Sequence, residues 1–251
     1  MKKQEELSIQ AGRRFLKSNW EQLPTMTTDQ QKKLPVPEQQ HPVDPGAKLA
    51  NLPSPAELAE HGFSAFTLFT NRKSRRSFGG GSLTLAEIAY LLYTTQGIRK
   101  HTPKYSFRTV PSAGARHTFE TYLHVSRVEG LERGLYRYQP VEHSLCFLFD
   151  SDTLEAELDE ALNGQKWNSA ATFIWTTLPY RMEWRYALVS YKLIAIDAGH
   201  VCQNLYLACE DIGCGTCGIG AYDQRKLDRV LGVDGEEEFA VYAAPVGRAR
   251  D

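Results

Sequence analysis

No stretch of this sequence would cross a membrane: the longest apolar run, Phe239 to Val246, falls far short of the roughly 20 residues a spanning helix needs. There is almost no net charge, −1 at neutral pH, so no global field draws the chain to nucleic acid or to an anionic lipid surface. Cysteine is scarce and odd in number. The five residues (Cys146, Cys202, Cys209, Cys214 and Cys217) sit mostly inside helix- or strand-like pattern, which argues against a disulfide framework and fits reduced thiols in a cytoplasmic protein. The pair Arg13-Arg14 is followed by Ser18-Asn19-Trp20-Glu21-Gln22 and not by an apolar segment, so an export signal is not expected. A G-x-S-x-G elbow, a P-loop and a strand–helix G-x-G-x-x-G are all missing, and one C-x-x-C pair cannot complete a zinc site. No metal site is expected.

The 251 residues are enough for one large domain with an extension. Residues 5–20 fit a short amphipathic helix. Residues 23–55 hold seven prolines, many glutamines and little periodicity, which reads as an extended arm without a core of its own. We therefore divide the chain into an N-terminal helix and arm, 1–55, and a domain, 56–251. Ser54-Pro55-Ala56-Glu57 has capping-box logic and predicts a short helix to about His61. Thr84 to about Gly97 predicts a helix with Leu85, Ile88, Leu91 and Leu92 on one face. Short strands are predicted at 121–128, 134–138, 144–149, 171–177, 215–220 and 239–246. Helices are predicted at 154–162, 186–211 (ended by Gly213) and 224–231. Short strands with segregated helices argue for an α+β fold around a mostly antiparallel sheet.

What the sequence does have is a concentration of cations at Asn71-Arg72-Lys73-Ser74-Arg75-Arg76-Ser77-Phe78, followed by Gly79-Gly80-Gly81. Guanidinium groups and short hydroxyls hold phosphate monoesters through charge-assisted hydrogen bonds, although such a segment taken alone reads equally well as a solvated basic turn. Pro111-Ser112-Ala113-Gly114-Ala115-Arg116-His117 is a small-residue loop ahead of a strand, where backbone amides can approach a flat ligand. Cys214-Gly215-Thr216-Cys217-Gly218-Ile219-Gly220-Ala221 enters a strand with three glycines, the mark of a close backbone approach or a bulge. Its two cysteines read as small core residues. Asp197 and His200 share a helix face, and His200 reads as a buried histidine satisfied by a carbonyl.

In order along the chain, Arg72-Lys73-Ser74-x-Arg76, Pro111-Ser112-Ala113-Gly114-Ala115, Asp197-Ala198-Gly199-His200, Gly218-Ile219-Gly220-Ala221-Tyr222 and Pro245-Val246-Gly247-Arg248 resemble the nitroreductase-like FMN flavoprotein family, and within it the SagB-type dehydrogenases that oxidise azoline rings. The resemblance spans about Phe66 to the C-terminus. It implies an intertwined homodimer with two FMN molecules at the subunit interface. By that analogy Arg72, Lys73, Ser74 and Arg76, with Arg248 and Arg250 from the last strand, hold the phosphate and ribityl chain. Pro111, Ser112, Ala113 and Gly114 come from the other subunit to line the ring, and Gly218, Gly220 and Ala221 place backbone donors near N5. The chain departs from the azoline oxidases at Glu183-Trp184-Arg185-Tyr186, where that branch has a Lys-Tyr pair. Arginine keeps its proton at working pH and cannot act as a base. Tyr186 and Lys192 remain as proton-transfer candidates, and Arg185 suits an anionic or carbonyl-bearing substrate. The implied activity is hydride transfer between FMN and a small acceptor such as a nitroaromatic or quinone, with NADH or NADPH as donor. Oxidation of a modified peptide is the alternative, and a catalytically silent binding homologue is a third reading.

Overall fold

The computed structural model describes residues 2–58 and 63–250, with only the backbone of residues 2–6. In chain order come α1 (Lys2–Leu16), a 3-10 turn (Trp20–Thr25), β1 (Leu49–Asn51), a 3-10 turn (Pro55–Glu57), α2 (Ala65–Asn71), β2 (Phe78–Gly79), β3 (Leu83–Thr84), α3 (Leu85–Gln96), β4 (Ile98–His101), β5 (Ser106–Arg108), β6 (Phe119–Val125), β7 (Val128–Glu129), β8 (Gly134–Gln139), β9 (Ser144–Phe149), α4 (Leu154–Ala161), β10 (Ala171–Thr177), α5 (Tyr180–Tyr186), α6 (Ser190–Asp211), β11 (Cys214–Thr216), α7 (Gln224–Leu231) and β12 (Phe239–Ala249).

The main sheet runs β1-β9-β8-β6-β10-β12-β11, with β2 added to the end of β12. Its pairings are antiparallel. Successive residues of its central strand face opposite ways, so both faces must be covered. Phe173 and Trp175 pack with Leu91, Val201 and Leu205 of α3 and α6, while Ile174 packs with Leu158, Leu227 and Val230 of α4 and α7. The result is a three-layer α+β molecule with one core on each side of the sheet.

Local signals set the helix ends. Thr84 and Glu87 form a reciprocal capping box at the start of α3, and Asp223 accepts from Lys226 N–H at the start of α7. Gly232, in the left-handed region at φ 73°, stops α7. Ser54 and Glu57 also form a capping box, but Leu58 is already extended, so the turn is one 3-10 turn long; residues 59–62 of the expected helix lie outside the described residues. The helix expected from Tyr186 begins instead at Ser190. Ala187, at φ 43°, breaks the helical path and leaves α5 as a separate segment.

The arm lies back across its own chain. Gln30 N–H donates to Trp184 O (2.8 Å), and Trp184 Nε1 donates to Leu34 O (3.2 Å). Gln39 Nε2 donates to Thr102 O (2.8 Å), and His41 meets Glu238 at 2.6 Å. The arm's far end supplies β1, the edge strand beside β9. No described helix is long and apolar enough to cross a membrane.

Candidate active site

The basic loop is fixed at both ends, by α2, whose N-terminus Ser64 caps, and by β2, which pairs with Arg248 and Ala249 of β12. Midway, Arg75 N–H donates to Thr216 O at 3.0 Å. The four loop cations then divide. Arg75 makes a two-point ion pair with Glu210 of α6, NH2 donating to Oε2 at 3.0 Å. Arg72 stacks over the Tyr206 ring, 5.2 Å from its centroid. Lys73 and Arg76 are exposed; Lys73 N–H donates to Glu210 Oε1 (3.3 Å), and among the described residues the side chains of Arg72, Lys73 and Arg76 make no ion pair. Ser74 Oγ lies 3.0 Å from the Tyr206 hydroxyl.

The two C-terminal arginines also part ways. Arg250 NH1 donates to Ser77 Oγ (3.2 Å), which brings the chain end to the loop. Arg248 is held by both oxygens of Glu87 (2.5 and 2.7 Å) and donates through Nε to Ser82 O (3.1 Å). The hydrogen bonds to Glu87 hold its proton still more firmly than usual. Arg248 therefore fastens β12 to the start of α3.

Three glycines of the 214–221 segment have different reasons to be there. A Cβ on Gly215 would sit 2.6 Å from Arg75 Cδ, because the basic loop lies directly on β11. A Cβ on Gly218 would meet the Tyr242 hydroxyl at 2.5 Å, and Gly218 N–H already donates to the Tyr206 hydroxyl (2.7 Å). Gly220 faces open space. Gly220 and Ala221 are exposed, and their N–H groups have no partner among the described residues. Cys214 and Cys217 are buried thiols, and burial pushes Cys214 up to about 12.

The 111–117 loop is built from the other end of α6. Ser112 precedes a tight turn in which Gly114 (φ 58°), Ala115 (φ 53°) and His117 (φ 46°) adopt left-handed backbone. Asp197, buried on α6, accepts Ala113 N–H at 3.2–3.3 Å and a hydrogen bond from Ser112. Burial outweighs these bonds and raises its pKa. The Tyr186 hydroxyl lies directly against Gly114, which leaves no room for a side chain there. Arg185 has its guanidinium 5.4 Å from the Tyr186 centroid and 3.5 Å from Gly114 O.

Residues 69–248 match the profile of the nitroreductase family. This chain belongs to that family, and it is an oxidoreductase. It is 31% identical over 178 residues to a protein assigned as a nitroreductase in Methanocaldococcus jannaschii, covering 70% of this chain and 87% of that one. It is 30% identical over 147 residues to the trifolitoxin-processing protein of Rhizobium leguminosarum, 56% of this chain but only 39% of that protein's length. A solved nitroreductase-like structure from Ralstonia eutropha superposes with a TM-score of 0.67 at 24% identity, covering 84% of this chain and 94% of the other.

In this nitroreductase-family chain the residues expected at the site fall into two groups. The basic loop, with Arg72, Lys73, Ser74 and Arg76, meets Tyr206 through Arg72 and Ser74, is joined by Arg250 at Ser77, and shares the Tyr206 hydroxyl with Gly218. The loop of Pro111, Ser112, Ala113 and Gly114 meets Asp197 through Ser112 and Ala113, and Arg185 and Tyr186 through Gly114. Lys192 joins neither, since its ammonium donates to Leu16 O (2.6 Å) at the end of α1. His200, expected to be buried, is exposed; Asp197 is the buried member of that pair. Sequence reasoning missed Tyr206 and Glu210, which organise the basic loop, and the partner role of Asp197. Their signal was the helix period itself, which sets Tyr206 and Glu210 one turn apart on one face.

Proposed function

We propose that this chain is an FMN-dependent enzyme that passes a hydride between flavin N5 and a small acceptor such as a nitroaromatic or a quinone, with NADH or NADPH as donor. The carrying observation is the set of three cationic side chains without an ion pair among the described residues, Arg72, Lys73 and Arg76, in a loop that rests on the strand leading to the free N–H groups of Gly220 and Ala221. A phosphate monoester matches the first group in charge and hydrogen bonding, and the edge of a planar heterocycle matches the second. In this reading Ser74 and Arg250 add donors to the phosphate end, while Arg248, engaged by Glu87, holds the strand in place. A bound flavin would supply the electron chemistry that no side chain here offers.

The division of the site along α6 supports two copies per working enzyme. Asp197 and Tyr206 are about two and a half turns apart, hence on opposite sides of the helix and roughly 14 Å apart along it. The helix body separates the Ser112 loop from the basic loop of the same chain, and a twofold-related copy would bring the Ser112 loop to the basic loop of its partner. Phe66, Phe69, Leu188, Tyr191 and Ile196 are exposed and give such a pair apolar surface to bury. We read residues 1–55 as an accessory arm on the 56–251 domain.

Purified protein should show flavin absorbance, and heat should release FMN. Arg72→Ala combined with Arg76→Ala should strip the cofactor while the far-UV spectrum stays native; undiminished flavin occupancy would refute the assignment. Dehydrogenation of azoline rings, as in the SagB-type branch, is a second reading. It is favoured by the likeness to the trifolitoxin-processing protein and by the Tyr186 hydroxyl seated on Gly114. Tyr186 would then carry the proton, because Arg185 cannot. Indifference to both nicotinamides, with turnover of an azoline peptide, would decide for it.

A further inference from the structure

A cavity of about 560 Å³ opens beside the Ser112 loop, between that loop, the β4–β5 hairpin, α5 and the arm. Five cations line it (Arg99, Lys104, Arg108, Arg116 and Arg185), and no carboxylate does. None of the five makes an ion pair among the described residues. The side-chain hydrogen bonds of the four arginines go to neutral acceptors. Arg108 donates to Gln96 Oε1 (2.8 Å) and Gln39 O (2.7 Å); Arg116 donates to Lys104 O (3.3 Å) and stacks 5.2 Å from the Trp184 centroid.

Arg108 is 2% exposed and Arg116 8% exposed, and the Nε of each has no partner. Glu120 lies near Arg108 but not in the cavity wall; Arg116 and Arg185 repel one another, and leaving buried donors unmatched costs free energy. Burial, and then the charge of Arg185, makes the Arg116 proton less firmly held than usual. In a chain of net charge −1 this local imbalance is a property of the cavity, not of the composition. An anion relieves it. The remaining walls (Tyr105, Phe107 and Trp184, with Val36 of the arm) are flat or apolar, which suits a conjugated ring better than a flexible chain.

We propose that this cavity binds a small planar carboxylate, its ring between the aromatic walls and its carboxylate on the guanidinium groups of Arg116 and Arg185. The inference rests on the proposed function only in making this ligand the electron acceptor, since the cavity borders Ser112 and Gly114; binding itself does not depend on that reading.

The test is calorimetric titration of the full-length protein, as purified and without nicotinamide, with 4-nitrobenzoate and with its uncharged counterpart 4-nitrobenzamide. The acid should bind at least tenfold more tightly than the amide. Arg116→Gln combined with Arg185→Gln should remove that preference and change amide binding less than threefold. Because Arg116 is buried, half-buried Arg185→Gln alone gives a second measure, with at least a threefold loss for the acid only. Equal binding of acid and amide, no binding of either, or an unchanged preference in Arg185→Gln would overturn the proposal. Flavin-free protein that keeps the acid preference would sink the proposed function and leave the cavity assignment standing; flavin-loaded protein without the preference would do the reverse.

Discussion

Lowering the pH from 7.5 to 5.5 should cost this protein about 3 kcal/mol of stability, through two buried histidines. His117, 5% exposed, follows the Ser112 loop directly; burial, and then the charges of Arg108 and Arg116, push its pKa down to about 2 against a hydrogen bond to the Ser106 backbone. His124, 1% exposed in β6, is pushed down to about 4 by burial first and then by Lys166, and neither of its ring nitrogens has a partner. In the unfolded chain both titrate near 6.5. The folded pKa lies below the unfolded one, so between these values the unfolded chain binds the proton and the native state does not. Stability is therefore complete above about pH 6.5 and falls as the pH drops through that value. Over the stated interval each histidine costs about 1.4 kcal/mol, a large part of a typical 5–15 kcal/mol total. Urea unfolding followed by tryptophan fluorescence at pH 7.5, 6.5 and 5.5, at fixed ionic strength, measures it above the range where most carboxylates titrate. His124→Phe removes a buried imidazole that satisfies no partner. It should keep stability at pH 7.5 within about 1 kcal/mol and halve the acid-induced loss. A wild-type protein equally stable at both pH values, or a His124→Phe protein with the full loss, refutes the reasoning.

The loop cations should separate into structural and binding roles. Arg75→Ala leaves the nearly buried Glu210 carboxylate without its ion-pair partner and should cost about 3–5 kcal/mol in urea unfolding, whereas Arg72→Ala should cost under about 1 kcal/mol. Asp197→Ala removes the acceptor for Ala113 N–H and should cost about 1–3 kcal/mol, with faster amide exchange at Ala113; Asp197→Asn, which keeps an acceptor oxygen, should recover part of it. Gly218→Ala drives a methyl group toward the Tyr242 hydroxyl and Cys202 Sγ and should cost about 1–3 kcal/mol in the same assay, while Gly220→Ala, facing open space, should leave stability unchanged.

How much of this was readable in advance depends on the sequence distance over which each decision is made. Strand β10 and helix α7 have the bounds that the sequence predicts, and α3 ends at Gly97 as expected, because β10 is a run of β-branched and aromatic residues and these helices carry their own caps. The division of labour in the basic loop could not be read the same way. Arg72, Arg75 and Arg76 are chemically alike, and what makes Arg75 structural is a carboxylate 135 positions further along. The same holds for Arg248, whose commitment to Glu87 spans 161 positions, and for the arm, where His41 meets Glu238 across 197. Local pattern failed in one further way. Ala187 takes a left-handed backbone without a glycine to announce it, so the long helix was expected to start at Tyr186, four residues before α6, and α5 was not expected. That break is also what sets Arg185 and Tyr186 beside Gly114 instead of extending the long helix. The positive φ of Ala187, like those of Gly114, Ala115 and His117, thus falls where the chain reverses beside the Ser112 loop, as expected if a protein tolerates local strain where a site needs it.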